Sequence, residues 1–204
     1  AKIAVSGGGR CNFTNGSVTA DNYTGDKEFV ARVIDGYGTD WVLNFARGLG
    51  ATFEVRKNNQ YFCQQSAKEL LNPLVSALRG NIQTNTKVSE VQKSGDGFVV
   101  KSDKGDFFAK KVVVASGGVS YPVLGASDIG YRIAQAFGHD IITPRPALVG
   151  FTVQPPEFWF KGLSGVSVAA VVKVGEKSFR ENVLFAHKGV SGPAILNASL
   201  YWEK

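Results

Sequence analysis

The sequence predicts a mixed α/β fold, and three observations support this. A short apolar stretch at Lys2 to Val5, which indicates a strand, runs into three consecutive glycines. Apolar residues in the segment 26–80 recur at helical spacing, and short alternating stretches over 82–115 indicate a β-meander. A hydrophobic content of 44% with 20% charged residues is typical of a globular chain rather than a disordered one.

The glycine-rich stretch is the strongest candidate ligand site in the sequence. Glycines let backbone N–H groups approach a ligand, and successive N–H groups in a tight turn form a nest for anions. Arg10 adds a planar cation with several donors. The predicted contacts to an oxyanion such as phosphate are Ser6, Gly7, Gly8, Gly9, Arg10 and Asn12. The alternative is a glycine-rich hairpin turn.

A Rossmann turn does not fit this stretch. The pattern G-x-G-x-x-G would require a glycine where the chain has Asn12, and such a turn opens a helix. Residues 13–25 instead lack helical periodicity and are rich in turn formers. The glycine loop is therefore expected to be a secondary contact to a ligand whose main phosphate site lies elsewhere.

Three amphipathic helices are predicted next. The first spans 26–36 and the second 39–49. The third begins at Ser66 and runs to about Leu78, with a kink expected at Pro73 because proline removes a helical hydrogen bond. Between the second and third helices, two short strands are predicted at 53–55 and 61–63.

The β-meander leads into the most apolar run of the chain. Its strands are predicted at 82–84, 87–92, 97–102 and 106–115. The last one ends in Val112–Ala115, a run typical of a strand buried on both faces of a parallel sheet. A turn at Ser116-Gly117-Gly118 follows, and then a helix over 128–137 that Gly138 ends.

Two domains are expected. Residues 1–150 would form the first, and 151–204 would begin a β-rich second one. In the second, 166–174 and 178–186 predict a hairpin, and Pro193 predicts the start of a helix.

Composition and spacing argue against several functions. The two cysteines form no C-x-x-C pair, and the two histidines add no metal-ligand spacing, so no metal site is predicted. Neither a G-x-S-x-G elbow nor a P-loop pattern occurs. The net charge of +6 favours an anionic partner such as a dinucleotide. Lysines and arginines are dispersed without interleaved aromatics, so nucleic acid is not expected as a partner, and a membrane is not expected either.

Six segments, in order along residues 2–197, together resemble the BaiN-like FAD-dependent oxidoreductases, which include aminoacetone oxidase-like flavoproteins. The segments are SGGGRCNFTN, QYFCQQSAKELL, VVVASGGVSYPVLG, GYRIAQAFGHDIITPRPALVGF, LSGVS and LFAHKGVSGPAIL. The resemblance implies a bacterial, cytoplasmic flavoprotein whose first domain is part of a two-dinucleotide-binding, glutathione-reductase-like FAD domain. It also implies hydride transfer between FAD and a small organic substrate that the sequence does not name. The alternative is a non-catalytic remnant of the fold that serves as a binding module.

The resemblance also implies roles for particular residues. The backbone at Val88 would meet the adenine of FAD, although ordinary strand core is the alternative. The turn that approaches FAD would consist of Ala115, Ser116, Gly117 and Gly118, with a plain strand-end turn as the alternative. His187 is a weak catalytic candidate on the substrate side of the flavin, and a structural role in its loop is the alternative.

Family members begin with a strand and a G-x-G-x-x-G turn that bind the FAD pyrophosphate, and this chain has no such unit. We therefore expect a fragment that lacks both ends and holds no FAD by itself, whereas its parent does. An unpaired sheet edge is also expected, which would favour self-association. Loss of the Arg10 charge in the parent is expected to weaken FAD binding or to lower the flavin potential.

Overall fold

The computed structural model describes residues 2–78 and 80–202. Ala1, Arg79, Glu203 and Lys204 lie outside the described residues, and so do the parts of the predicted segments and domains that fall on them. The chain divides into two compact units, Ala1–Ile141 and Ile142–Lys204. The predicted domain boundary near residue 150 lies inside the second unit.

The first unit opens with helical turns and a small antiparallel sheet. Its elements are α1 (Lys2–Val5), a 3₁₀ turn (Ser6–Gly9), β1 (Asn12–Asn15), α2 (Lys27–Tyr37), α3 (Thr39–Gly48), β2 (Phe53–Arg56), β3 (Gln60–Cys63) and α4 (Lys68–Ala77). The strands lie in the order β1-β3-β2. The predicted strand at Lys2 to Val5 is wrong: the Ser6 hydroxyl donates to the Ile3 carbonyl at 3.1 Å, which closes a helical turn there.

The helices confirm the amphipathic patterns with small differences at their ends. Helix α2 continues through Gly36 and ends at Gly38, and the Asp26 carboxylate accepts from the Phe29 N–H at its start. Helix α4 continues through Pro73 rather than breaking there. The two predicted strands are β2 and β3, and the turn between them holds Asn58 at φ 61°.

The core of this region consists of small side chains. Cys11, Ala46, Ala51, Cys63, Ala67 and Leu70 are buried together, with partly buried Phe13 and Phe53 packed against them. Small residues let backbones approach closely, and this brings two carbonyls of the glycine loop within hydrogen-bonding distance of neighbouring N–H groups. Cys63 N–H donates to the Arg10 carbonyl at 2.8 Å, and Ala67 N–H donates to the Gly9 carbonyl at 2.8 Å. The glycine loop is therefore fixed to β3 and to the start of α4.

Glu69 joins three segments at the start of α4. Its carboxylate accepts from the Ser66 N–H at 2.9 Å, from the Gln65 N–H, and from both the N–H and the hydroxyl of Thr52. Burial acts to raise the pKa of Glu69, but these hydrogen bonds to the charged form prevail and lower it to about 2. Glu69 thereby caps N–H groups just before the first turn of α4.

The rest of the first unit is the meander and one helix. The strands are β4 (Val88–Ser94), β5 (Gly97–Ser102) and β6 (Gly105–Ala109), paired antiparallel in that order, and the helix is α5 (Ile129–Ala136). No strand forms at 82–84. The predicted buried parallel strand at 111–115 is also wrong: this stretch has no regular secondary structure, and Val113 is 87% exposed. A strand needs a hydrogen-bonded neighbour, and within the described ranges none lies beside 111–115.

The second unit is a four-stranded antiparallel sheet with a helix. Its elements are β7 (Phe151–Thr152), β8 (Ser167–Val174), β9 (Lys177–Ala186), β10 (Gly189–Ser191) and α6 (Pro193–Ala198), in the strand order β7-β10-β9-β8. The predicted hairpin and the helix opened by Pro193 are confirmed. Val183, Ala194 and Ile195 form the core between the sheet and α6. The chain thus has mixed α/β content with small antiparallel sheets.

The Glu69 bonds generate a prediction about acid stability. The folded protein keeps this carboxylate charged down to about pH 2, whereas an unfolded chain protonates it near pH 4.5. The contribution of Glu69 to stability is therefore complete above about pH 4.5 and is lost as the pH falls towards 2. We expect Glu69→Gln to lower the free energy of unfolding at pH 7 by about 1–3 kcal/mol, measured by urea denaturation.

The matched control is Glu28→Gln. Glu28 lies on an exposed face of α2 and pairs only loosely with Arg32, at 3.4 Å, so its loss is expected to change stability by less than about 0.5 kcal/mol. The difference in free energy of unfolding between wild type and Glu69→Gln is expected to decrease as the pH is lowered from 5 to 2.5. A difference that stays constant over that range would contradict the role assigned to the charge of Glu69.

Candidate functional site

The glycine loop has a left-handed backbone that explains its composition. The φ angles of Gly7, Gly8 and Gly9 are 57°, 66° and 82°. A Cβ on Gly7 would lie 2.6 Å from the Asn12 nitrogen and 2.9 Å from the Phe62 ring, so this glycine is required by close packing. A Cβ on Gly8 would meet nothing within 4 Å. The loop therefore combines a packed side at Gly7 with an open side at Gly8, where a ligand has access.

Arg10 is half exposed and paired. Its guanidinium donates to the Glu54 carboxylate at 3.0 Å, and Arg56 donates to the same carboxylate oxygen from Nε at 2.6 Å. The hydrogen bond from Arg56 and the positive charges of both arginines hold the pKa of Glu54 below its usual range. Arg56 also lies over the Phe62 ring, 4.3 Å from its centroid. Two guanidinium groups around one carboxylate leave this surface with a net positive charge, as the predicted anion site requires.

A cleft in the first unit brings together three further predicted residues. It has a volume of about 420 Å³ and lies between the start of β4, the segment 112–116 and the N-terminal end of α5. Its lining includes Val88, Ala115, Ser116, Gly125, Ser127 and Ile129. Gly117 and Gly118 follow directly in the chain, and a Cβ on Gly118 would lie 3.1 Å from the Tyr131 hydroxyl.

The chemistry of this cleft suits a flat ring. Most of its lining is apolar, with valines of β4, β5 and the segment 112–116 together with Ile133, and Ser116, Ser127 and Lys87 add polar groups. The segment 112–116 contributes peptide groups with no strand beside them among the described residues. A largely apolar lining with a few polar groups is the usual make-up of a small-molecule site of this size. The residues therefore fit the adenosine end of a dinucleotide.

The two cysteines meet, which their spacing in the sequence did not indicate. Antiparallel pairing of β1 with β3 brings Cys11 beside Cys63, and both are buried free thiols. Burial, together with the neighbouring Cys11 and Glu69, raises the pKa of Cys63 to about 11. A thiol held protonated is a poor nucleophile, so this pair acts as core rather than as a redox site.

His187 lies in the second unit and has a partner that sequence reasoning missed. Its Nδ1 is 2.9 Å from the Ser164 hydroxyl, and both residues are exposed. Ser164 lies in the segment LSGVS and His187 in LFAHKGVSGPAIL, two of the six segments that carry the family resemblance. Their presence in that one set was the sequence signal that could have linked them. The other histidine, His139, follows α5, and its backbone N–H donates to the Ala134 carbonyl at 3.0 Å.

Neither a membrane-spanning helix nor a metal-binding cluster occurs in the described ranges. No helix in residues 2–78 and 80–202 has the length and apolar character to cross a membrane. Across those same ranges, no group of three or more His, Cys, Asp or Glu side chains is placed to hold a metal ion.

The contrast between Gly7 and Gly8 generates a prediction. We expect Gly7→Ala to lower the free energy of unfolding by about 3 kcal/mol or more, because it adds a steric clash to an unfavourable φ. Gly8→Ala has the same φ penalty without the clash and is expected to cost about 1–2 kcal/mol. Urea denaturation of both variants tests this. Equal losses would mean that the loop is not held against Phe62 as described.

Comparison with known proteins identifies relatives over nearly the whole chain. The chain is 35% identical to the ribosomal RNA dihydrouridine synthase of Haemophilus influenzae over 212 residues, which cover 99% of this chain and 53% of that protein. It is 36% identical to the ribosomal RNA dihydrouridine synthase of Escherichia coli over 208 residues, covering 99% of this chain and 52% of that protein. The chain thus spans about half the length of these curated relatives.

A third relative is a reductase. The chain is 34% identical to the 3-dehydro-bile acid delta(4,6)-reductase of Clostridium scindens over 161 residues, which cover 77% of this chain and 39% of that protein. A family model described as the HI0933-like protein Rossmann domain matches residues 1–192. On this match, the chain belongs to the HI0933-like protein Rossmann domain family.

Proposed function

We propose that this chain is part of an FAD-dependent reductase that saturates a carbon–carbon double bond conjugated to a carbonyl. The names of the relatives support one common chemistry. Making dihydrouridine from uridine saturates a bond of the uracil ring next to a carbonyl, and a delta(4,6)-reductase of a 3-dehydro compound acts on bonds conjugated to an oxo group. Both reactions add a hydride to one carbon and a proton to the next. The finer placement among BaiN-like enzymes, with a two-dinucleotide-binding domain, is part of this proposal.

The substrate we favour is a uridine in RNA. The two relatives with this substrate in their name align over 99% of the chain, compared with 77% for the bile-acid reductase. The net charge of +6 and the pI of about 9.3 suit a polyanion. This choice departs from the sequence-based expectation that nucleic acid is not a partner, which rested on dispersed lysines and the lack of aromatic–basic motifs.

The observation that carries the cofactor assignment is the cleft. It gathers Val88, Ala115 and Ser116 from distant parts of the chain in one largely apolar lining. Their backbone would contact the adenosine end of FAD, with Gly117 and Gly118 continuing along it, while the glycine loop and Arg10 offer a cationic surface to its anionic parts. A bound flavin would supply the hydride. The role of this chain is to bind and orient that group.

The test introduces a bulky side chain into the cleft of the full-length protein. Ala115→Phe adds a ring to the cleft, and we expect it to weaken FAD binding at least tenfold, measured by titration of the FAD-free protein with flavin fluorescence. The matched control is Val123→Phe, at a residue that is 90% exposed, which is expected to leave the affinity within twofold. Arg10→Ala is expected to weaken binding more moderately, because Arg56 remains beside Glu54.

Several results would contradict the proposal or one of its parts. A full-length protein that binds no FAD, or that binds FAD without passing electrons to any conjugated carbonyl compound, would return the chain to a non-catalytic binding module. Unchanged affinity in Ala115→Phe would place the cofactor outside this cleft. Reduction of a steroid enone but not of uridine-containing RNA would overturn the choice of substrate and keep the reaction.

A further inference from the structure

An aromatic loop in the second unit presents a tryptophan to solvent. The loop spans residues 155–166 and contains two 3₁₀ turns, Pro155–Glu157 and Lys161–Leu163. Trp159 is 84% exposed, which is unusual for so large an apolar side chain. Its indole touches Phe160 edge-on, with centroids 5.4 Å apart and planes at 88°. Phe160 therefore packs against the side of Trp159 while most of the indole surface stays open.

The loop is held firmly at the end of β9. Phe160 packs on Phe185 with ring centroids 5.2 Å apart. Gly165 N–H donates to the Phe185 carbonyl at 2.8 Å, and Phe185 N–H donates to the Val166 carbonyl at 3.0 Å. The loop is therefore ordered before a ligand binds, so stacking of a ligand on Trp159 costs little conformational entropy of the loop.

Polar groups that suit a nucleotide lie in the same loop and directly after β9. The Ser164 hydroxyl engages His187 at Nδ1, so the opposite ring nitrogen, Nε2, points away from Ser164. Lys161 and Lys188 are exposed neighbours in sequence of these groups. Residues 142–204 contain seven lysines and arginines against four glutamates, so this unit carries a net positive charge. An open aromatic face, an oriented imidazole and nearby cations match a base, its edge and its phosphates.

We propose that the aromatic loop and the Ser164–His187 pair form a binding site for an unstacked base of single-stranded RNA. Trp159 stacks on the base, His187 donates or accepts a hydrogen bond at the base edge through Nε2, and Lys161 and Lys188 contact phosphates. The inference rests on the proposed RNA substrate and deepens it, because it names the residues that take the base.

The test measures binding rather than turnover. Full-length protein freed of flavin is titrated into a fluorescein-labelled, eight-nucleotide oligouridine, and anisotropy is recorded. We expect Trp159→Ala to weaken binding by about 10- to 100-fold, the usual range for loss of one base–aromatic stack. Trp159→Phe keeps a stacking ring and is expected to stay within about fivefold of wild type. The matched control Trp41→Ala removes another exposed tryptophan, one that stacks on Phe45, and is expected to change binding less than twofold.

The pair is tested with His187→Gln and Ser164→Ala. We expect His187→Gln to weaken oligouridine binding several-fold, and Ser164→Ala to weaken it less, because Ser164 acts by positioning the ring. His139→Gln is the control and is expected to have no effect. The melting temperature of Trp159→Ala is expected to match that of wild type, since its ring is largely exposed.

Several outcomes would overturn the inference. These are wild-type affinity in Trp159→Ala, equal loss in Trp41→Ala, a melting temperature lowered by several degrees, or binding to anionic lipid vesicles but not to oligouridine. Failure of the proposed function can be distinguished from failure of this inference. Trp159-dependent RNA binding in a protein that takes up no flavin would leave the inference standing and remove the reductase. Reduction of an enone without RNA binding would do the reverse.

Discussion

Close backbone approach around Cys11 and Cys63 is the constraint on which the first unit depends. Small buried side chains let β1, β3 and the start of α4 come together, and two carbonyls of the glycine loop are then bound by N–H groups of those elements. Gly7 has no room for a Cβ against Asn12 and Phe62. The shape of the loop is therefore set by the core beneath it, and the groups available to a ligand are those the core leaves open, at Gly8 and Arg10.

Elements with local causes could be predicted from the sequence. The hairpin of β8 and β9, the meander and most helix ends follow from alternation, turn residues and caps, which act within a few positions. The strands at Lys2 to Val5 and at 111–115 were wrong for one reason. A strand needs a neighbouring strand to form hydrogen bonds with, and the apolar character of these two stretches does not show that one is present. The same run of valines instead contributes to the lining of the cleft.

The candidate site also contains some residues that could be named from the sequence and some contacts that could not. Val88, Ala115 and Ser116 were named from resemblance to a family, and they line one cleft although no periodicity links them. The meeting of Cys11 with Cys63 and of Ser164 with His187 depends on pairing over 52 and 23 residues, which local patterns do not encode. Trp159 gave no sign in sequence either, because an exposed and a buried tryptophan look alike until the loop around it is placed.

The carboxylate of Glu54 has a consequence for how the glycine loop meets an anion. Arg10 and Arg56 would repel each other if nothing lay between them, and Glu54 keeps both in place. The carboxylate is thus an internal substitute for an oxyanion ligand, and the arginines are already gathered before one arrives. An incoming phosphate would enter by exchange, taking one guanidinium from Glu54 while the other stays engaged. Under the proposed anion role, the arginines need no closing movement, and an anion would compete with Glu54 for them.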